Sequence, residues 1–181
     1  MDSSSARRRG AFDRSCEGDA VLDAETSWDE VLLRLAVAAA CGGLLGWDRE
    51  THAKPAGFRT HILVAMGAAL FAMIGIELSS EVRAAGGQSD PVRVLDGIVG
   101  GIGFLGAATV FRSRRGVEGI TTAAGIWLVA AIGAACGIGA YQTAGIATAI
   151  AWFTLTVLGA VIGHLTGVGG IPEDRRPISE D

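Results

Sequence analysis

The sequence predicts an all-α membrane protein: a polytopic bundle of about five transmembrane helices packed through glycine. Three observations predict it. Five long apolar stretches lie between Val31 and Leu165 with few charges inside them, half of the residues are apolar against 19% charged, and 27 of the 181 residues are glycine. Mean hydropathy is +0.41. A bilayer core offers no water to backbone N–H and C=O groups, so only helices or closed barrels cross it. The apolar runs here lack the alternation that barrel strands require.

Ser27-Trp28-Asp29-Glu30 opens the first helix, because Ser27 and Glu30 have capping-box spacing and the acids sit at the positive helix end. Trp28 and Trp47 then lie nineteen residues apart, about 28 Å of helix and close to one hydrocarbon thickness. They read as two aromatic belts. The second span is expected over Thr60 to Leu78. Asp90-Pro91 signals the start of the third, an N-cap aspartate with proline at the first helical position, and the span is expected to reach Phe111. The fourth is expected over Ile120 to Ile138, and after a Gly139-Ala140 corner the fifth runs from Tyr141 to Leu165. The domain division is a polar tail over 1–27, one transmembrane domain over 28–166 and a short polar tail over 167–181, with no soluble C-terminal domain.

The net charge of −4 resides in residues 1–30, which hold four Arg against eight Asp and Glu. It therefore says little about partners. Arg7, Arg8 and Arg9 are not followed by an apolar h-region, so no cleaved signal peptide is expected. Cys16, Cys41 and Cys136 show no pairing pattern or metal-ligand spacing. The loop after span one carries Arg49, Lys54 and Arg59, and the loop after span three carries Arg112, Arg114 and Arg115. Basic loops face the cytoplasm, which places the N-terminus outside and the C-terminus, with Arg175 and Arg176, inside.

Glycine supplies the packing signal. Gly42 and Gly46, Gly97 and Gly101, Gly133 and Gly137, and Gly159 and Gly163 each form a GxxxG step that permits close helix approach. Gly97, Gly100, Gly101, Gly103 and Gly106 cover more than one face of span three, which is therefore expected at the bundle centre. Gly101 to Gly106 also matches the dinucleotide fingerprint letter for letter, but it lacks the preceding strand and the acid about 20 residues on. Helix packing is the better reading. No cofactor and no nucleic-acid partner is expected, whereas small-residue surface on a chain of this size favours self-association.

Ionisable groups at membrane depth are costly unless paired or wetted, and they fall in two layers. The inner layer comprises Asp48, Arg49, Glu50, Lys54, Pro55, Gly57, Arg59, Thr60 and His61, met by Arg112, Glu118, Thr121 and Thr122 from the other basic loop. Positive-inside sorting requires only the basic members, so the acids mixed among them point to an interaction surface or an ion-paired latch. Asp48 and Glu50 are the only candidates for a hard cation such as Mg²⁺, with three basic groups beside them. The outer layer comprises Arg34, Glu77, Asp90, Arg93 and Asp96, together with Glu30, whose i, i+4 spacing to Arg34 suits a helix-surface ion pair. His61 and His164 have no partner at metal-ligand spacing and read as headgroup-level polar residues.

Five blocks in order, Gly46-Trp47-Asp48-Arg49-Glu50, Lys54 to His61, Asp90-Pro91-Val92-Arg93, Gly101 to Ala107 and Gly119 to Ala124, resemble the signatures of the MgtC/SapB family of bacterial inner-membrane proteins. The resemblance implies a polytopic inner-membrane protein linked to adaptation to low magnesium and, in pathogens, to survival inside host cells. It also implies, as a partner for some members, the proton-driven ATP synthase. Asp48 stands where many members have glutamate, and Gly97 and Gly100 stand near positions that are polar in many members, which weakens polar contact from span three.

The expected function is a non-enzymatic regulatory membrane protein. Its glycine faces bind other transmembrane helices, and the Asp48 to His61 hairpin is its cytoplasmic contact surface. No nucleophile and base, cofactor lysine or metal cluster is evident. The rival is a cation transporter in which Asp48, Glu50, Glu77 and Asp96 line a route.

Overall fold

The computed structural model describes residues 27–113 and 116–158. The N-terminal tail, Arg114 and Arg115, the Gly159 and Gly163 step, His164, the end of the fifth span and the C-terminal tail lie outside the described residues. Five α-helices are present among those described: α1 (Trp28–Thr51), α2 (Phe58–Ala84), α3 (Val92–Ala107), α4 (Ile120–Gly137) and α5 (Tyr141–Phe153), the last continued by a π-helical turn over Thr154–Leu158. A two-stranded antiparallel hairpin, β1 (Phe111–Ser113) and β2 (Gly116–Glu118), joins α3 to α4 with Phe111 opposite Glu118.

The helix starts follow local chemistry. The Ser27 hydroxyl accepts from the Asp29 N–H at 3.3 Å, with Asp29 and Glu30 in the first turn, but the expected capping box does not form, because the Glu30 N–H goes to the Ser27 carbonyl and the Glu30 carboxylate turns to Arg34. Asp90 accepts from the Val92 N–H at 3.0 Å beside Pro91. At the other end of α4, Gly139 adopts φ +78° and the Ala140 N–H returns to the Ala135 carbonyl at 2.8 Å, the 6→1 bond of a Schellman closure. That closure is the Gly139-Ala140 corner.

α1, α2 and α4 are long and apolar enough to cross a membrane. Five crossings were expected; among the described residues three helices meet this measure, and the expected fifth span continues beyond the described residues. α3 has 16 residues, about 24 Å against a hydrocarbon core near 30 Å. It stops at Ala107 rather than Phe111, because the Thr109 hydroxyl takes the Gly106 carbonyl and the Thr109 and Val110 N–H groups close i→i+3 bonds. The chain then turns into β1. α5 is 13 residues before its π-turn, where the Thr154 hydroxyl takes the Ile150 carbonyl.

The core is made of small residues. Ala38, Ala65, Ala69, Val129, Ile132, Cys136 and Ala144 are buried together, so helix backbones approach one another closely. α2 packs on both α1 and α4, which also touch each other. A Cβ added at Gly42 would stand 2.6 Å from the His61 carbonyl, and one at Gly46 would stand 2.7 Å from the Phe58 Cα. From α4, a Cβ at Gly133 or Gly137 would strike the carbonyls of Ala65 or Ala69. These four glycines set the spacing of α1, α2 and α4.

α3 corrects the expectation of a glycine-rich central helix. It lies at the edge, touching α4 and more lightly α2, and Gly106 is its single buried residue. Among the described residues a Cβ at Gly97, Gly100, Gly101 or Gly103 would meet nothing within 4 Å, while Gly106 faces Ala123 at ordinary contact distance. Its glycines therefore form an open ridge in this chain. Composition told of small residues but not of which neighbour, if any, faces them.

Candidate functional site

The inner-layer residues converge where α1 ends, α2 and α4 begin and α5 passes into its π-turn. The α1 end is closed by its own hydrogen bonds: the Lys54 N–H reaches the Arg49 carbonyl at 3.0 Å, and the Thr51 hydroxyl and His52 Nδ1 both donate to the Asp48 carbonyl. Ala53 takes φ +50° to make the reversal. Beyond it, the Glu50 carboxylate accepts from the Phe58 N–H at 2.9 Å and so caps α2, whose Gly57 has no side chain to do so. A Cβ at Gly57 would collide with that carboxylate. Trp47 and Phe58 close the corner edge to face, with ring centroids 6.1 Å apart.

Three inner-layer groups turn inward. Asp48 and Arg49 are 8% and 6% exposed and His61 is 1% exposed, with Thr122 buried beside them. Asp48 accepts from the Thr156 hydroxyl of the π-turn at 2.7 Å and lies 3.7 Å from His52 Nδ1. Arg49 donates through Nη2 to Thr122 Oγ1 at 2.9 Å, bolting α1 to the first turn of α4. His61 donates through Nδ1 to the Gly57 carbonyl at 2.9 Å, and its Nε2 faces α4 opposite Gly125. His61 is thus a buried group between helices rather than the headgroup-level residue expected. Among the described residues neither His61 Nε2 nor Arg49 Nε has a hydrogen-bond partner.

The remaining inner residues divide. Lys54, Pro55, Arg59 and Thr121 are exposed, and Thr60 and Gly57 are half-buried. Asp48 and Glu50 do not converge as a cation pair would: Asp48 turns to α5 and exposed Glu50 turns to the start of α2. Among the described residues no group of three His, Cys, Asp or Glu could hold a metal ion. Thr156 was not visible as a member of the site, because a lone threonine in an apolar run carries no signal of what it meets.

At the opposite end, Arg34 pairs with Glu30 as its spacing predicts, and its Nη1 donates to the Gly137 carbonyl at 2.7 Å. The pair ties α1 to the last turn of α4. Glu77, Arg93 and Asp96 are exposed, as is the capping residue Asp90. The outer layer is therefore a bolt at Arg34 and a scatter of surface charges elsewhere.

Residues 35–164 match the family model of the MgtC family. The chain belongs to that family. Over 114 residues it is 44% identical to Protein MgtC of Brucella abortus, covering 63% of this chain and 45% of that one. It is 39% identical over 114 residues to YhiD of Escherichia coli (strain K12), covering 62% of this chain and 53% of YhiD. It is 38% identical over 139 residues to Protein SrpB of Synechococcus elongatus, covering 72% of this chain and 74% of SrpB. The chain spans about half the length of the first two relatives. No solved structure matches it. This MgtC family member is a multi-pass membrane protein.

Proposed function

We propose that this chain is a non-enzymatic inner-membrane protein that regulates a membrane partner during adaptation to low magnesium or related stress, with its N-terminus outside and its C-terminus in the cytoplasm. The observation that carries the reading is the open glycine ridge of α3. Among the described residues Gly97, Gly100 and Gly101 have no neighbour within 4 Å of where a Cβ would stand, and Phe104 beside them is 82% exposed. In lipid, small-residue faces associate by close backbone approach, so such a ridge suits another transmembrane helix. An apolar groove of about 300 Å³ flanks it, lined by Leu95, Ile98, Ile102, Trp127, Ala131 and Ile138. The family resemblance offers the ATP synthase as such a partner, and a second copy of this chain would satisfy the same ridge.

Replacing Gly97 and Gly101 together by leucine should leave the fold intact and abolish co-purification with a membrane partner or with a second copy. Unchanged recovery of both would sink the reading.

Transport is the second reading, favoured by the relative YhiD of Escherichia coli, which is named as a candidate magnesium transporter. Its candidate acids are separated: Asp48 is bound by Thr156, Glu50 by the Phe58 N–H, and Glu77 and Asp96 are exposed. Proteoliposomes with a trapped Mg²⁺ indicator distinguish the two readings. Saturable flux that disappears in a Glu50→Gln, Asp96→Asn double variant would establish the transporter.

A further inference from the structure

Cys41 of α1 and Cys136 of α4 lie far apart in the sequence and carry no pairing pattern there, yet the fold brings their thiols together. Both are free, and the Cys136 thiol has the Cys41 thiol as its hydrogen-bonding neighbour. The glycines beside them show how this comes about. A Cβ at Gly42, next to Cys41, would crowd Ala65 of α2, and one at Gly133, a turn before Cys136, would crowd the same residue from α4. A Cβ at Gly137, next to Cys136, would crowd Ala69 one turn further along α2. One stretch of α2 thus sets the level of both cysteines. Cys136 is buried in the core cluster with Ala38, Ala65 and Ala69, and Cys41 packs against that cluster. Small residues on all three helices let the backbones approach closely. A disulfide needs its two Cβ atoms near each other, and neighbouring thiols on so close a helix pair supply that arrangement.

The two thiols differ in access. Cys136 is 0% exposed, whereas Cys41 is only partly buried. A membrane-permeant reagent therefore meets Cys41 first, while Cys136 is shielded behind it. An accessible thiol with a second thiol beside it is the arrangement of a cysteine and its resolving partner.

We infer that Cys41 and Cys136 form a hydroperoxide-sensitive dithiol that closes to a disulfide and fastens α1 to α4. In the first step the Cys41 sulfur attacks the terminal oxygen of the hydroperoxide and the O–O bond breaks. The departing oxygen takes the Cys41 proton, which leaves a sulfenic acid on Cys41 and an alcohol in solution. In the second step the Cys136 sulfur attacks the sulfenic sulfur, the S–O bond breaks, and the hydroxide departs as water with the Cys136 proton. Two electrons pass from the two thiols to the hydroperoxide, the one co-reactant required. The new bond joins the first described helix to the fourth, so it constrains the unfolded chain across most of the bundle.

The test uses the purified full chain in nanodiscs, treated with tert-butyl hydroperoxide beside an untreated sample. Before oxidation, N-ethylmaleimide should label Cys41 and spare Cys136. After oxidation, the intact mass should fall by two hydrogen atoms, peptide mapping should join Cys41 to Cys136, and dithiothreitol should reverse both changes. The Tm of the oxidised chain should rise by about 6 °C. Cys41→Ala and Cys136→Ala keep the methionines, which also take up peroxide oxygen, and each should lose the crosslink and the rise. The crosslink map is read on the unaltered chain, so it decides the matter even where a variant fails to fold. Absence of the Cys41–Cys136 peptide, a bond to Cys16 in its place, an unchanged Tm in the crosslinked chain, or a rise that survives in either variant overturns the inference.

Discussion

Glycine acts in two opposite ways in this chain, and the distinction is made residue by residue. At Gly133 a Cβ would strike the Ala65 carbonyl, whereas at Gly97 it would meet none of the described residues. Gly133→Ala should therefore force α2 and α4 apart and cost about 2 kcal/mol. Gly97→Ala should be neutral or stabilising by up to about 1 kcal/mol, because alanine is the better helix former. Unfolding midpoints of the two variants in mixed micelles check the contrast, and equal midpoints would contradict it. The GxxxG spacing is the same in both helices, so the difference was not legible in the sequence. A spacing specifies a face, and only the fold decides what that face meets. The Glu30–Arg34 pair was legible, because both partners lie on one helix and i, i+4 geometry is fixed by the helix itself.

At the scale of elements, starts and corners were readable and ends were less so. Ser27, Asp90 and Gly139 act through bonds within a few residues of themselves and mark their ends, although Ser27 caps through Asp29 rather than in a box with Glu30. The end of α3 depends on the Thr109 hydroxyl and on the hairpin that follows, which an apolar run through Phe111 conceals. The α1–α2 corner rests on Glu50. Replacing Glu50 by alanine leaves the first N–H of α2 without its carboxylate and should cost about 1 kcal/mol. The loss should appear as faster amide exchange at Phe58 to His61, with the middle of α2 unaffected. Protection equal to that of the unaltered protein would show that the cap is idle.

For the whole molecule, the bundle places two different polar systems at its two ends. One end holds Arg34 against Glu30 and the Gly137 carbonyl, and the other holds Asp48, Arg49, His61, Thr122 and Thr156 in the interior. The sequence showed two charged layers but not that the inner one is folded inward. Burial of His61 depends on Gly125 of a helix some sixty residues away, and no local pattern encodes that approach. The orientation proposed from the basic loops has its own test. With native cysteines replaced by serine, single cysteines at Lys54 and Arg112 should resist a membrane-impermeant maleimide in spheroplasts, and one at Glu81 should react. The reverse pattern would invert the topology.

The central claim is that α3 presents a helix-binding ridge to a partner in the membrane. The most direct measurement is photocrosslinking in living cells from a benzoylphenylalanine at Phe104, the exposed aromatic beside that ridge. A discrete protein adduct that disappears when Gly97 and Gly101 are both leucine is the predicted result. No protein adduct, or one indifferent to the two leucines, would contradict it.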